Sequence, residues 1–252
     1  MERILAFGCH PDDVEFMCGG TLALLAQKGH EIHVAVMAGG EMGSPTLAPQ
    51  AIRAKRLSEA AEAAAVIGAH FHYAGGYDIE VDYNAVYRKR AIRVLREADA
   101  QVVFAPPPMD YLIDHEETSR LVRTAAFIAP CPNFDCDVPT KPTSGIPHLY
   151  YWDATGLKDI FGRPLPLTCA VDVSAVMDTK TRMLACHASQ REWLHFVMGW
   201  DEYLENMKRQ SAQEGGRVGF QFAEGFIQHV GAGHPQDNIL KRLLGDLCVE
   251  VK

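Results

Sequence analysis

Short apolar runs alternate with longer helical patterns through the first hundred residues, and that alternation leaves few architectures open. Ile4 to Cys9 is a compact apolar run, and Thr21 to Lys28 follows with a helical pattern stopped by Gly29. Glu31 to Met37 reads as a second strand, the Ala-rich stretch from Gln50 to Ile67 as a helix closed by Gly68, and His70 to Tyr73 as a third strand. A helix near Tyr83 to Ala98 and a strand at Gln101 to Ala105 complete the series. Strand and helix in alternation predict an α/β fold: a Rossmann-like, doubly wound, mostly parallel sheet with helices on both faces.

The texture changes after Pro106-Pro107-Pro108. Thr118 to Ile128 reads as helix, and Ala129 to Pro147 is a long irregular stretch with five prolines, the kind of loop that is usually functional or disordered. Strands follow at Leu149 to Trp152 and Cys169 to Val173, and helices at Ala175 to Cys186, Arg191 to Gln210 and Gln236 to Leu244. With no repeat and no low-complexity linker, the expectation is a single domain over 1–252. Its core spans about 1–190, and a C-terminal elaboration about 191–252.

Composition removes whole classes of function. The 252 residues carry 32 acidic against 24 basic side chains, a formal charge of −8, which disfavours nucleic acid and argues mildly against a highly anionic substrate. No apolar run approaches the length of a membrane span, and Met1 to Leu5 lead straight into a strand, so no secretory signal is expected. A cytoplasmic location is therefore expected, and the seven cysteines read as small buried residues rather than a disulfide framework. The 11 histidines and the surplus carboxylates are the chemical resource.

Those groups concentrate at two places. Gly8-Cys9-His10-Pro11-Asp12-Asp13 lies at the C-terminal end of the first strand, and Asp110-Tyr111-Leu112-Ile113-Asp114-His115 follows the fourth. In a doubly wound sheet, ligands bind outside the carboxyl ends of the strands where strand order reverses, so the two loops should share one mouth. Two histidines and a carboxylate can hold a metal with one position open, and a spare carboxylate can handle a proton. The spacing of His10 and Asp13 lets both face one metal while Asp12 points elsewhere. On spacing alone, a helix-capping aspartate and a histidine bonded to backbone fit as well.

His10-Pro11-Asp12-Asp13, Gly19-Gly20-Thr21, Arg56 with Glu59 and Gly68, Asp78, Asp114-His115, and His187 with Ser189-Gln190 together resemble the LmbE/PIG-L family of zinc-dependent N-deacetylases. The resemblance covers residues 3 to about 190. It implies an enzyme that removes acetyl groups from N-acetylglucosaminyl compounds. His10, Asp13 and His115 would be the zinc ligands, with Fe2+ or another divalent metal as the alternative ion. Asp12 would be the general base and Asp114 the group that orients an imidazole. Arg56 and Asp78 would contact substrate, against the alternative of a surface ion pair between Arg56 and Glu59 and a turn aspartate. The expected partner is a small amino-sugar or glycoconjugate, and a homo-oligomer is expected.

One position departs from the family pattern. Where many members have a histidine that helps stabilise the tetrahedral intermediate, this chain has Leu112. Tyr111, His187 and His234 are the candidate replacements, Tyr111 first. Glu41, after Gly39-Gly40, is a candidate for the substrate cleft, and Glu224-Gly225-Phe226 for its closure. Trp193 and Trp200, with Phe196 and Val197 between them, read as one buried helical stripe, and Trp152 as a packing residue. Two other classes compete: a nucleotide-binding oxidoreductase, which the absence of G-x-G-x-x-G after the first strand disfavours, and a non-catalytic carbohydrate-binding protein.

Overall fold

The computed structural model describes residues 1–199 and 202–251. Eight strands form one sheet: β1 (Arg3–Gly8), β2 (Glu31–Ala38), β3 (His70–Gly76), β4 (Val102–Ala105), β5 (His148–Trp152), β6 (Cys169–Asp172), β7 (Ala223–Gln228) and β8 (Cys248–Glu250). Their order is β3-β2-β1-β4-β5-β7-β6-β8. The first five are parallel, and β7, β6 and β8 join antiparallel. The fold is thus the mostly parallel α/β architecture that the alternation predicts. Strand order reverses between β1 and β4, so the first and fourth loops open side by side.

Helices α1 (Asp13–Gln27), α2 (Pro49–Ala65), α3 (Ala85–Ala98), α4 (Ile113–Ile128), α5 (Met177–Ala185), α6 (Ala188–Met198), α7 (Tyr203–Val218) and α8 (Ile239–Leu244) cover the sheet. Ile4, Leu5, Ala6 and Phe7 of β1 are all fully buried, because both faces of a central parallel strand are covered. Alternate residues feed two cores. Ile4 and Ala6 join Phe104, Tyr150 and Phe226 on one face, while Leu5 and Phe7 join Ile92, Val103 and Leu149 on the other.

Three sequence expectations change. The stretch from residue 191 on contributes strands within the sheet, since β7 lies between β5 and β6. Glu224 therefore closes no cleft: it is buried in β7, takes Lys180 Nζ at 2.7 Å and accepts the Gly20 and Thr21 amides. The helix expected over Arg191 to Gln210 is two helices, the first ended by Gly199 at φ 67°. Phe196 and Val197 are 65% and 50% exposed, so no buried stripe runs there, and Trp200 lies outside the described residues. The proline-rich stretch after α4 is pinned by buried Arg96, which donates to the carbonyls of Ala129, Cys131 and Phe134.

Candidate metal centre and active site

The two loops converge as their strand order requires. β1 ends at Gly8, where a Cβ would come within 3.0 Å of the Asp13 Cβ, so the turn back into α1 is tight enough to require glycine. Asp12 takes up this turn at φ 111°, a left-handed conformation that is costly for a side-chain-bearing residue and that recurs at functional sites. Neither Asp12 nor Asp13 caps α1 through an Asx-type bond; the Asp13 carboxylate instead turns back to accept the amides of Cys9 and His10, both at 2.8 Å. That excludes the helix-cap reading.

Across the crevice, α4 starts in the loop after β4 and brings His115 into its first turn. His10 Nδ1 and His115 Nε2 face each other at 3.3 Å. Asp13 stands 3.5 Å from His115 through Oδ1 and 3.9 Å from His10 through Oδ2. Bonds of 2.0–2.1 Å to a tetrahedral metal place neighbouring donors about 3.3 Å apart, so these three groups fit one face of such a polyhedron. The other ring nitrogens are held by carboxylates: His10 Nε2 lies 3.0 Å from Asp78 and 3.4 Å from Asp114, and His115 Nδ1 3.2 Å from Asp110. Carboxylates on the outer nitrogens fix the tautomers and aim the inner lone pairs at the shared point.

Electrostatics agree with that donor set. Burial alone would raise the Asp13 carboxyl, but His115, His10 and the two amides hold it below the usual carboxylate range, as a metal ligand requires. Burial works against charge on His10 and His115; the Cys9 sulfur with Asp114 and Asp78 outweighs it at His10, and Asp13 with Asp110 at His115, so both titrate above an ordinary histidine. This is the electrostatics of a pocket built around a cation. A second grouping, Cys9, His10 and Asp114, is also close enough to bind an ion. It lies on the buried side of His10, away from the cavity, and burial pushes the Cys9 thiol up to about 11.

Asp13 and His115, with Asp12 beside them, open onto a cavity of about 380 Å³. Phe16, Tyr111, Trp152 and Tyr203 form its apolar walls, and Thr155, Gln190 and Asn206 contribute polar groups. Neither lysine nor arginine is among the described residues that line it. Trp152 is both a core residue and a wall, since only 2% of it is exposed.

The residues expected to touch substrate stand elsewhere. Arg56 is buried behind the site, donating to Pro11 O at 2.8 Å and Asp12 Oδ1 at 3.3 Å, while Glu59 accepts from Ser189. Gly40, at φ 72°, leaves the room: a Cβ there would sit 2.3 Å from the Arg56 guanidinium. Asp78 and Glu41 are buried as a relay, with Glu41 Oε2 accepting the Asp78 amide and Asp78 holding His10. Glu41 is therefore a support rather than a cleft wall. Asp114 orients His10 and accepts the Ile79 amide, while Asp110 performs that service for His115.

Of the three candidates to replace the missing histidine, only Tyr111 reaches the cavity, edge-on to His115 with ring centroids 5.4 Å apart. His187 is buried against Glu15 at 3.2 Å. His234 packs against His229, whose amide donates to Leu149 O at the start of β5, the opposite end of the sheet from Trp152. Leu112 itself supplies the carbonyl that accepts the His115 amide at the start of α4. Tyr203 was not anticipated: its hydroxyl donates to Asp12 Oδ2 from α7. No motif marks it, because a tyrosine opening a distant amphipathic helix looks like any core tyrosine.

Residues 5–126 match the family model described as PIG-L, GlcNAc-PI de-N-acetylase. That segment, just under half of the chain, is similar to the PIG-L family. The chain is 25% identical to the diacetylchitobiose deacetylase of Thermococcus kodakarensis over 91% of the chain and 86% of the relative. It is 24% identical to the 4-oxalmesaconate hydratase of Pseudomonas putida over 90% of the chain and 86% of that relative. Its fold is shared with the inhibitor-bound N,N'-diacetylchitobiose deacetylase of Pyrococcus horikoshii, at 24% identity and a TM-score of 0.75, over 90% of this chain and 84% of the other.

Proposed function

We propose that this protein is a divalent-metal-dependent N-deacetylase of a neutral amino sugar, with zinc as the working ion. The observation that carries the reading is the facing set of His10 Nδ1, His115 Nε2 and Asp13 Oδ1, with the Asp12 carboxylate alongside at the cavity wall. A divalent ion bound to that set supplies Lewis acidity toward an acyl carbonyl and acidifies a water.

The protein's own groups do the remaining work. Asp12 takes the proton of the attacking water and returns it to the leaving amine. Arg56 and Tyr203 hold its two oxygens, so the carboxylate keeps its aim through the cycle. Tyr111, whose ring stands edge-on to His115, is the donor assigned to the developing oxyanion, in the role that a histidine would fill at Leu112. Trp152 and Phe16 offer apolar faces to a sugar ring, and Thr155, Gln190 and Asn206 offer hydrogen bonds to hydroxyls.

The hydratase relative raises a second reading, hydration of an unsaturated acid. The cavity wall favours the deacetylase: an oxalmesaconate-like polyanion would meet Asp12 and Asp13 with no lysine or arginine on the described wall to compensate. The test is amine release from N,N'-diacetylchitobiose and N-acetylglucosamine conjugates by zinc-loaded protein, run beside a hydratase assay. Hydratase activity without amine release overturns the proposal. The homo-oligomer and the cytoplasmic location belong to the same proposal, and sedimentation of the purified chain tests the first. No described helix is long and apolar enough to cross a membrane.

A further inference from the structure

A second pair of histidines also meets nitrogen to nitrogen, at the far edge of the sheet. His33 lies on β2, and His70 and His72 lie on β3, the outermost strand. The register pairs His33 with His70 and Ala35 with His72. Side chains two apart on a strand share a face, so all three imidazoles project from one side of the sheet together with Glu31. His33 Nδ1 meets His72 Nε2 at 2.9 Å, and the His33 ring lies 5.2 Å from that of His72 and 5.0 Å from that of His70.

The outer nitrogens again face carboxylates. His33 Nε2 is 3.1 Å from Glu31 Oε1, and His72 Nδ1 is 3.7 Å from Glu97 Oε2. With each outer nitrogen carrying its proton toward a carboxylate, the two inner nitrogens present lone pairs to each other. Nitrogens held that close share a proton in an N–H···N bond or take a metal ion in its place. His33 is only 5% exposed and its ring is fixed, whereas His70 is exposed, and its Nε2 already stands 4.0 Å from Glu31. A turn about the His70 side-chain bonds brings a third imidazole to the pair, and water can complete the shell.

We propose that His33, His72 and His70 form a second metal site, for an imidazole-preferring divalent ion of the zinc, nickel or copper class. Its oxygen-poor donor set disfavours magnesium and calcium. The ion would tie the outermost strand to its neighbour at the open edge of the sheet. The site shares no residue with the centre at His10 and His115.

The test is the zinc stoichiometry of metal-stripped protein, by equilibrium dialysis with elemental analysis, at about 10 µM free ion with magnesium in excess. Two zinc ions per chain are expected in the unaltered protein. One is expected in His115→Ala, and one in His72→Ala with unchanged amine release. Glu31→Gln should weaken the edge site about ten-fold, as loss of a carboxylate behind a metal-bound histidine does. His70→Ala, at an exposed position, covers the case in which His72→Ala fails to fold, and should also lower edge affinity. A single zinc in the unaltered protein, or two zinc ions in both edge variants, overturns the proposal. The readout is independent of the deacetylase reading, which could fail while two ions still bind.

Discussion

Among the described residues two pairs of imidazoles meet nitrogen to nitrogen, and they differ in what surrounds them. The central pair, His10 and His115, is enclosed by Asp13, Asp78, Asp110 and Asp114, and those carboxylates, with the Cys9 sulfur beside His10, lift both rings above the usual histidine range. The edge pair, His33 and His72, has one carboxylate behind each ring, and there burial and neighbouring positive charge prevail, so both rings titrate below it. The same imidazole contact therefore has opposite proton affinity in the two places. The lesson is that a facing histidine pair is defined by its outer carboxylates. Several of them make a nest for a strongly held cation and for chemistry, and one apiece makes a neutral pair that a metal need not displace protons to enter.

The strongest way to break the comparison is to remove a ring from the central pair. His115→Ala should lose the central ion and all measurable amine release while the edge ion stays, as elemental analysis beside an activity assay would show. A variant that keeps turnover shows that the central pair is no metal centre. Asp12→Asn should separate binding from chemistry, with the ion retained and kcat down about 10²–10⁴-fold, the range for loss of general acid–base help. Loss of the metal in that variant would instead make Asp12 a ligand and undo its assignment as base.

Loss of an outer carboxylate is the next step down in size. Asp110→Asn keeps a hydrogen-bond acceptor for His115 Nδ1 but removes the charge, and central metal affinity should fall about 10–100-fold. Competition with a metal-binding dye measures it. The central pair has two carboxylates on His10, so Asp114→Asn should cost less than Asp110→Asn. Equal losses would mean that net charge, rather than the aim of individual rings, sets the affinity.

How much of this the sequence disclosed follows from how each residue is held. The parallel core was legible because β1, β2 and β4 each carry a short, buried and mostly apolar run, with β1 and β4 on either side of the switch point. His10, Asp12, Asp13 and His115 were legible as a compact motif plus one loop. The true starts of α1 and α4 were not. Asp13 precedes the expected start at Thr21 by eight positions because Gly19-Gly20 breaks the pattern, and Ile113 precedes Thr118 by five because Asp114, His115, Glu116 and Glu117 interrupt the apolar periodicity that marks a helix. Arg56, Asp78 and Glu41 were legible as site residues but misplaced in depth, since sequence does not tell a group that touches substrate from one that holds a ligand from behind. Tyr203 and the edge histidines carry no motif, and only strand register and the return of α7 bring them to their partners.

A third facing pair sets the lower end of the scale, because a proton alone can occupy it. Asp153 and Glu214 are buried side by side, and Arg217 Nη1 donates to both, at 3.0 and 2.9 Å. Burial, then the neighbouring Asp153 charge, raises the Glu214 carboxyl to about 7 despite Arg217, and burial raises Asp153 as well. The two titrate as a unit with one shared proton. A carboxyl whose folded value lies above its unfolded value of 4.5 adds stability in full below that lower value, and loses it as pH rises through about 7. The stability of the protein should therefore fall from pH 5 to pH 8 by an amount on the order of 1–2 kcal/mol at this site, and its Tm with it. Glu214→Gln keeps the shape and replaces the shared proton with an amide N–H aimed at Asp153, so its Tm should be flatter over the same interval and higher than that of the unaltered chain at pH 8. Scanning calorimetry at fixed ionic strength, with zinc added and with zinc removed, reads the difference. The flattening should be the same in both conditions, since neither metal pair shares a residue with this one. A zinc-dependent change in the slope would mean that the carboxyl pair is coupled to the central site through Phe16 and Met17, which line both cavities, and that the three pairs are not independent.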